Sequence, residues 1–301
     1  MIATLTPLRA GDVTAAVRRR YIARIKNAQK AIGRLEKSAA RSLLADLRWA
    51  RNAILGSLTD ATPFGTWNAG HAIKAVEEAM AQYVEQGTGT LRRSFDSAWQ
   101  LGTERVGMAA KTVGIDVTLP TFQFGIDRKQ LEFAQGWAGD LIQAESDSIL
   151  RGVSREVRLS FAGGQTKEQL IQRVRTHITK PLRFGTRRKR AETIVRTEVN
   201  RIHNAAAQSA RMKMSAENVK VRKQWLHTGA GKTPRADHLA LDGVTVDVDK
   251  PFPYPGLPRA QWPMYPLDPV LPAEASINCH CTTIEIFEVL DEADIAGAVT
   301  A

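Results

Sequence analysis

Two cysteines stand one residue apart in Asn278-Cys279-His280-Cys281, and His238 lies upstream in Arg235-Ala236-Asp237-His238-Leu239-Ala240-Leu241-Asp242-Gly243. Thiolate and imidazole are the donors zinc prefers, so His238, Cys279 and Cys281 can supply three ligands to a structural or hydrolytic zinc ion. A Cys-x-Cys pair has a plainer use as well. Its two side chains fall on the same side of an extended segment, where they pack as small buried groups at the entry to a strand. The reading taken from the sequence is packing with no cofactor, and structural zinc is kept as the alternative.

A second constellation, Arg196-Thr197-Glu198 followed by Asn200 and Asn204, invites a catalytic reading in which an arginine holds a carboxylate. On a helix, residues two apart do not face each other, so Arg196 and Glu198 are expected to bond separately to the hairpin or to the loop that carries His238. We read Arg196, Glu198, Asn200, Arg235, His238, Asp242 and Asn278 as a structural polar network. No Ser-His-Asp triad or paired-carboxylate spacing appears, and no catalytic residue is assigned. Gly229-Ala230-Gly231-Lys232-Thr233 imitates the end of a phosphate loop, but the first glycine of that pattern would fall on Leu226 and Pro234 follows where a helix should begin.

The third group is basic. Arg183, Arg187, Arg188, Lys189 and Arg190 form the densest positive cluster, and Arg18, Arg19, Arg20, Arg24, Lys26, Lys30 and Arg34 line one long helix. With 42 Lys and Arg against 31 Asp and Glu, the net charge is +11, which favours a polyanion as neighbour. DNA bound without sequence preference, or an acidic protein surface, is the expected contact of the Arg183 to Arg190 cluster.

The elements that must position these residues are mostly helical. Residues 13–58 lack proline, and Val17, Tyr21, Ile25, Ala28, Ile32 and Leu35 recur at helical spacing. Residues 72–85 and 91–113 predict two more helices with a break at Gln86-Gly87-Thr88-Gly89, which together with the first would make a bundle or arm of three helices. Residues 114–125 read as an extended connector and 128–161 as a helix. Thr166-Lys167-Glu168-Gln169 matches a capping box that starts another, ending near Pro181. From Arg190 to Met214 runs a helix with one apolar stripe, formed by Ile194, Val195, Val199, Ile202 and Ala206. Period-two alternation then predicts strands over 219–225, 244–248 and 282–289, the second entered by the Asp242-Gly243 turn signal. The prolines between 251 and 272 forbid helix, and Phe252, Tyr254, Trp262 and Tyr265 among them read as an exposed ribbon for a partner or an ordered crossing of the surface.

The fold class is therefore α+β: a largely helical N-terminal half, then a small α+β domain with a short antiparallel sheet. The Arg196-Thr197-Glu198 helix, Trp225, the Arg235 to Gly243 stretch, Pro272-Ala273-Glu274 and Asn278-Cys279-His280-Cys281, taken in that order, resemble the phage head morphogenesis family, the minor capsid proteins of the phage Mu F type. The resemblance covers roughly the C-terminal third. His280 stands where the family commonly has arginine, and the Cys-x-x-Cys pair that some members carry near 235–242 is missing. The expected segments are 1–118 (helical), 119–163 (connector strand and helix), 164–290 (the Mu F-like domain) and 291–301 (tail). The resemblance implies a structural role in the virion, inside the procapsid near the portal vertex and in contact with packaged DNA. The implied partners are the portal protein and a major capsid or scaffolding protein. A zinc-dependent nuclease or other hydrolase built on His238, Cys279 and Cys281 is the contrasting expectation.

At 301 residues with 43% apolar and 24% charged composition, the chain can bury a core of ordinary size. No apolar run approaches the ~20 residues of a membrane span, and Met1-Ile2-Ala3-Thr4-Leu5 is not a secretory signal, so no membrane partner and an intracellular site of synthesis are expected. Two cysteines so close together cannot staple a long loop, which leaves the fold to packing in a reducing compartment.

Overall fold

The computed structural model describes residues 15–59, 69–115, 128–163, 166–179, 186–229 and 234–288. Within them the elements run α1 (Ala15–Thr59), α2 (Ala69–Thr112), α3 (Arg128–Gly163), α4 (Lys167–Thr179), α5 (Arg187–Ala216), β1 (Val221–Leu226), α6 (Ala236–Leu241), β2 (Thr245–Asp247), a 3-10 turn (Arg259–Gln261), α7 (Ala273–Ser276) and β3 (Thr282–Phe287). The α+β class is as expected, with helix first and the sheet last. Residues 116–125 of the connector expected over 114–125, the end of the fourth helix at Pro181, residues 230–233 of the phosphate-loop lookalike, Arg183 and the tail 291–301 lie outside the described residues.

The chain divides into two compact units that do not follow its linear order. One comprises Met1–Glu36, Phe95–Leu131 and Arg196–Ala301, the other Lys37–Ser94 and Glu132–Val195, so the divisions fall inside α1, α2, α3 and α5.

In the second unit α2 runs unbroken where the sequence predicted a break at 86–89. The glycine there serves packing. A Cβ on Gly87 would stand 2.9 Å from Leu43 Cδ1 and 3.2 Å from Ile142 Cδ1, so the bare Cα lets side chains of α1 and α3 approach the helix backbone. That packing outweighs the ~1 kcal/mol that a helical glycine costs relative to alanine. The capping box forms as predicted: Gln169 N–H donates to Thr166 Oγ1 at 3.3 Å, and Thr166 N–H donates to Gln169 Oε1 at 3.1 Å. Glu156, nearly buried on α3, accepts from His177 Nε2 (3.0 Å) and Arg173 Nη1 (3.4 Å) of α4 and joins the two helices.

The first unit holds the sheet, in the order β2-β1-β3 with both pairings antiparallel. Gln224 stands between Thr245 on one side and Ile284 on the other, which fixes the register. Every residue of β3 is buried, as a strand covered on both faces must be. Its core includes Tyr21 and Ile25 of α1, Val106, Ala109, Ala110 and Val113 of α2, Ala207, Ala210 and Met214 of α5, and Ile284, Ile286 and Phe287 of β3. The segment 164–290 therefore shares its core with residues from far upstream.

Helix α5 departs most from the amphipathic expectation. Its apolar stripe is buried, but so are Thr197, Glu198, Asn200, His203, Asn204, Gln208 and Arg211. Gly102 of α2 explains one side, since a Cβ there would lie 2.4 Å from the His203 carbonyl oxygen and only glycine permits so close a crossing. Buried charge completes the contact with the sheet. Glu285 on β3, fully buried, takes a salt bridge from Arg105 of α2 at 3.0 Å, and Arg211 Nη1 of α5 lies 3.8 Å away. Arg211 also donates to Thr283 Oγ1 at 2.8 and 2.6 Å, Arg105 donates to Thr282 Oγ1 at 2.9 Å, and the Tyr21 hydroxyl donates to the Glu285 carbonyl. Three helices are thus tied to one strand.

The proline-rich stretch is an ordered crossing, not an exposed ribbon. Phe252 and Tyr254 are buried, Phe252 meets Trp225 edge-on at 5.2 Å, and Trp262 Nε1 donates to Leu257 O at 3.0 Å. The prolines remove backbone donors that have no ladder to join, and the aromatic rings supply the apolar area that fixes the stretch on the sheet.

Two outcomes follow from this core. Glu285→Ala leaves Arg105 and Arg211 buried without their carboxylate and should cost about 3–5 kcal/mol in denaturant unfolding. His203 is fully buried, and burial first, then Arg105 and Arg211, holds its pKa well below 6.5. Burial, with Arg211 nearby, likewise lowers Lys223 to about 7. Both are bases with depressed folded pKa values, so the unfolded chain binds the extra proton. Stability should fall as pH drops below 6.5 through His203, and rise from about pH 7 towards 10 as Lys223 in the unfolded chain loses its proton. Urea unfolding across pH 5–10 should show both slopes, with His203→Gln flattening the acid limb and Lys223→Met the alkaline one.

Candidate functional site

The polar face of α5 supports two turns of the first unit. Asn204 Nδ2 donates to Pro266 O (3.3 Å) and Cys281 O (3.2 Å), while its Oδ1 accepts from Thr282 Oγ1 (2.7 Å). Arg201 donates to Leu267 O at 3.0 Å and to Glu198 Oε2 at 2.8 Å. Leu267 has a φ of 69°, a left-handed conformation that costs a bulky residue about 1–3 kcal/mol. Its full burial and these two α5 side chains hold it there.

The second turn is Asn278-Cys279-His280-Cys281. Asn278 also takes a positive φ, 59°, which asparagine tolerates better than most residues and which swings the chain back towards α5. There its N–H donates to Thr197 Oγ1 at 3.2 Å, and its Oδ1 accepts from Arg196 Nη1 at 3.3 Å. Asn200 Nδ2 donates to Glu36 Oε1 at 2.7 Å, with Arg196 Nε 3.8 Å from the other oxygen of that carboxylate. Arg235 Nη2 donates to Ile277 O at 2.7 Å, and Asp242 Oδ1 accepts from His227 N–H at 2.7 Å.

The seven predicted polar residues therefore form neighbouring clusters. Arg196 and Asn278 are joined directly, Arg235 reaches the residue before Asn278, and Asp242 closes its own hairpin. Glu198 accepts from Arg201 on the same helix, where residues three apart are neighbours. Thr197, Arg201, Arg211 and Glu285 were missed. The i, i+3 spacing of Glu198 and Arg201, and the lone charge in Ile284-Glu285-Ile286, were the readable signals.

His238, on α6, stands with the cysteines. Its Nδ1 is 3.4 Å from Cys279 Sγ and 3.4 Å from Cys281 Sγ, and the three donor atoms lie within 4.8 Å of one another. All three residues are at most 3% exposed. The imidazole is wedged edge-on between Trp225 and Tyr254, at 5.8 Å from each. The hydrogen bond from the Cys281 thiol holds the Cys279 thiol well below its ordinary range against the effect of burial, and donating that proton while buried pushes Cys281 up. Together the three are the described groups arranged to hold a metal ion. The half-buried His280 is not among the three.

The predicted basic cluster is only partly free. Arg188 and Lys189 are exposed, with Arg188 paired to Glu192 at 2.9 Å. Arg190 is committed to the buried Glu145, at 2.8 Å. Arg187 opens α5. The structure adds arginines that the sequence reading passed over: Arg41, Arg48 and Arg51 of α1 line a groove with Arg188, floored by Leu44, Leu47 and Ile178. Positions 41, 48 and 51 share one helical face, a spacing visible in the sequence. Arg19, Arg20, Arg24, Lys30 and Arg34 of the first unit are exposed along α1.

Comparison with known proteins bears on these residues. Residues 151–284 match the family described as Phage Mu protein F like protein. The Bacillus subtilis protein YqbB is 38% identical over 96 residues, 31% of this chain and 30% of that protein. An Enterococcus faecalis protein named NAD(+)–arginine ADP-ribosyltransferase EFV is 33% identical over 100 residues, 33% of this chain and 19% of its own length. The chain thus matches a third or less of either relative. No solved structure matches.

Asn204→Ala removes the side chain that holds both turns. It should cost about 1–3 kcal/mol, because buried carbonyls lose their donors. The cost is read as a lower urea midpoint at unchanged slope.

Proposed function

From residues 151–284, which belong to the phage Mu F-like family, we propose that the protein is a minor head protein built into a phage head during morphogenesis, inside the procapsid near the portal. The observation that carries this reading is where the motif residues of the matched segment go. Arg196, Asn200, Asn204, Arg235 and Asn278 hydrogen-bond to turns and helices of their own unit, and His238, Cys279 and Cys281 are sealed in its interior. Such residues build a shape that a partner recognises. A polymer substrate has no access to them, which weighs against the zinc-dependent nuclease. The transferase activity in the Enterococcus protein's name is that protein's, and the matched part is 19% of it.

The partners of this reading are the portal protein, a major capsid or scaffolding protein and packaged DNA. Among the described residues no helix is long and apolar enough to cross a membrane. A net charge of +11 and a groove carrying four arginines support contact with phosphate. The groove's apolar floor lets guanidinium stems pack while their heads meet the backbone of the nucleic acid.

Two measurements test the proposal. Co-expression with the cognate portal, capsid and scaffolding proteins should place the protein in purified procapsids, and its absence from them would sink the head role. DNA retardation should weaken steeply with salt, by a slope of about −0.9 in log K per phosphate neutralised. The quadruple variant Arg41→Gln, Arg48→Gln, Arg51→Gln, Arg188→Gln should flatten that slope for random duplexes of any sequence. A slope unchanged in the variant would remove the groove from the DNA contact.

A further inference from the structure

We propose that His238, Cys279 and Cys281 form a buried site for zinc or a similar soft divalent cation, with two thiolates and one imidazole as ligands. The distances fit such an ion. Ligands at tetrahedral angles on zinc, with Zn–S near 2.3 Å and Zn–N near 2.0–2.1 Å, place sulfur and nitrogen about 3.6 Å apart and the two sulfurs about 3.8 Å apart. Here both sulfurs stand 3.4 Å from the same Nδ1, and no donor pair exceeds 4.8 Å.

A ring nitrogen in the plane of the imidazole either donates one proton or accepts one, yet both sulfurs stand 3.4 Å from the same Nδ1. A cation at the centre would engage all three lone pairs at once. The Cys281 N–H, which donates to Cys279 Sγ at 3.3 Å, then stabilises a thiolate already held in place.

Charge balance points the same way. The cluster is packed among Trp225, Leu241, Phe252 and Tyr254, where a lone thiolate is costly to bury. Two thiolates around a divalent ion are neutral as a unit, so the ion makes the apolar surroundings tolerable. The ligands come from α6 and from the turn before β3, segments that only the ion would link covalently, and the fourth tetrahedral position is left to water or another small ligand. The site is independent of the proposed head role, which stands or falls on other experiments.

The test uses the full-length protein without a metal-binding tag, purified without chelator. Elemental analysis should find about one zinc per chain. Replacement by Co2+ should give the thiolate-to-cobalt charge-transfer band and the strong visible absorption of a tetrahedral centre. Cys279→Ser with Cys281→Ser should lose both metal and band, His238→Ala should lose the stoichiometric metal, and His280→Ala, one residue from each cysteine but outside the cluster, should keep them. Should the cysteine variants fail to fold, the wild type still decides: a strong chelator should strip the metal and lower the melting temperature, and added zinc should restore it. Protein that carries no zinc and gives no charge-transfer band with Co2+, or a band that survives loss of both cysteines, overturns the site. So does a melting temperature indifferent to chelator.

Discussion

The first unit depends on one buried carboxylate. Glu285 sits on a strand with no exposed residue, and its charge is tolerable only because Arg105 and Arg211 reach it from two helices. A buried ion pair contributes little net stability over an apolar substitute, yet an arrangement that removes any partner is heavily penalised. That asymmetry makes the pair a device for specificity. Alternative packings of α2 and α5 on the sheet would separate a buried charge from its partners, whereas sliding one alanine past another costs little. Burial, and after it the positive charge of Arg105 and Arg211, holds the pKa of His203 well below its ordinary value, so the same core that fixes the geometry also sets a response to acid.

From that anchor the roles of α5 become coherent. Arg211 is fixed by Glu285 and Thr283, which sets the rotation of the helix. The same rotation presents Arg196, Thr197, Arg201 and Asn204 to the two turns that precede β3. Those turns contain left-handed residues that would relax if unsupported. A residue such as Asn204, bridging Pro266, Cys281 and Thr282, therefore acts on the position of both cysteines without touching His238. The polar residues of the Mu F-like segment are thus linked to the thiol cluster through backbone geometry, and a chemical role for them need not be invoked.

The surface follows a different logic. Exposed arginines occur on most elements, among them Arg41 and Arg48 of α1, Arg151 and Arg155 of α3 and Arg188 of α5, while Arg105 and Arg211 are committed inside. Counting positive residues overstates the charge available to a partner. The usable part is the exposed set, which includes Arg41, Arg48 and Arg188 of the groove.

Local chemistry made much of this legible in the chain itself. Hydrophobic period set the long helices and all three strands, because 3.6-residue and two-residue repeats are properties of the backbone that need no partner. Thr166 and Gln169 announced a helix start, and Asn278-Cys279-His280-Cys281 with His238 identified the groups able to bind a metal. Tertiary structure alone decided the rest. Gly87 reads as a break until Leu43 and Ile142 are seen pressing on it, and the aromatic crossing reads as a ribbon until Phe252 meets Trp225. Glu285 and Arg105 are 180 residues apart, so no local window contains both. The sequence determined which residues could ionise, cap, pair or ligate. Which of them do so depends on burial, since only the loss of water makes an unpaired charge or an unfilled space expensive enough to select one arrangement.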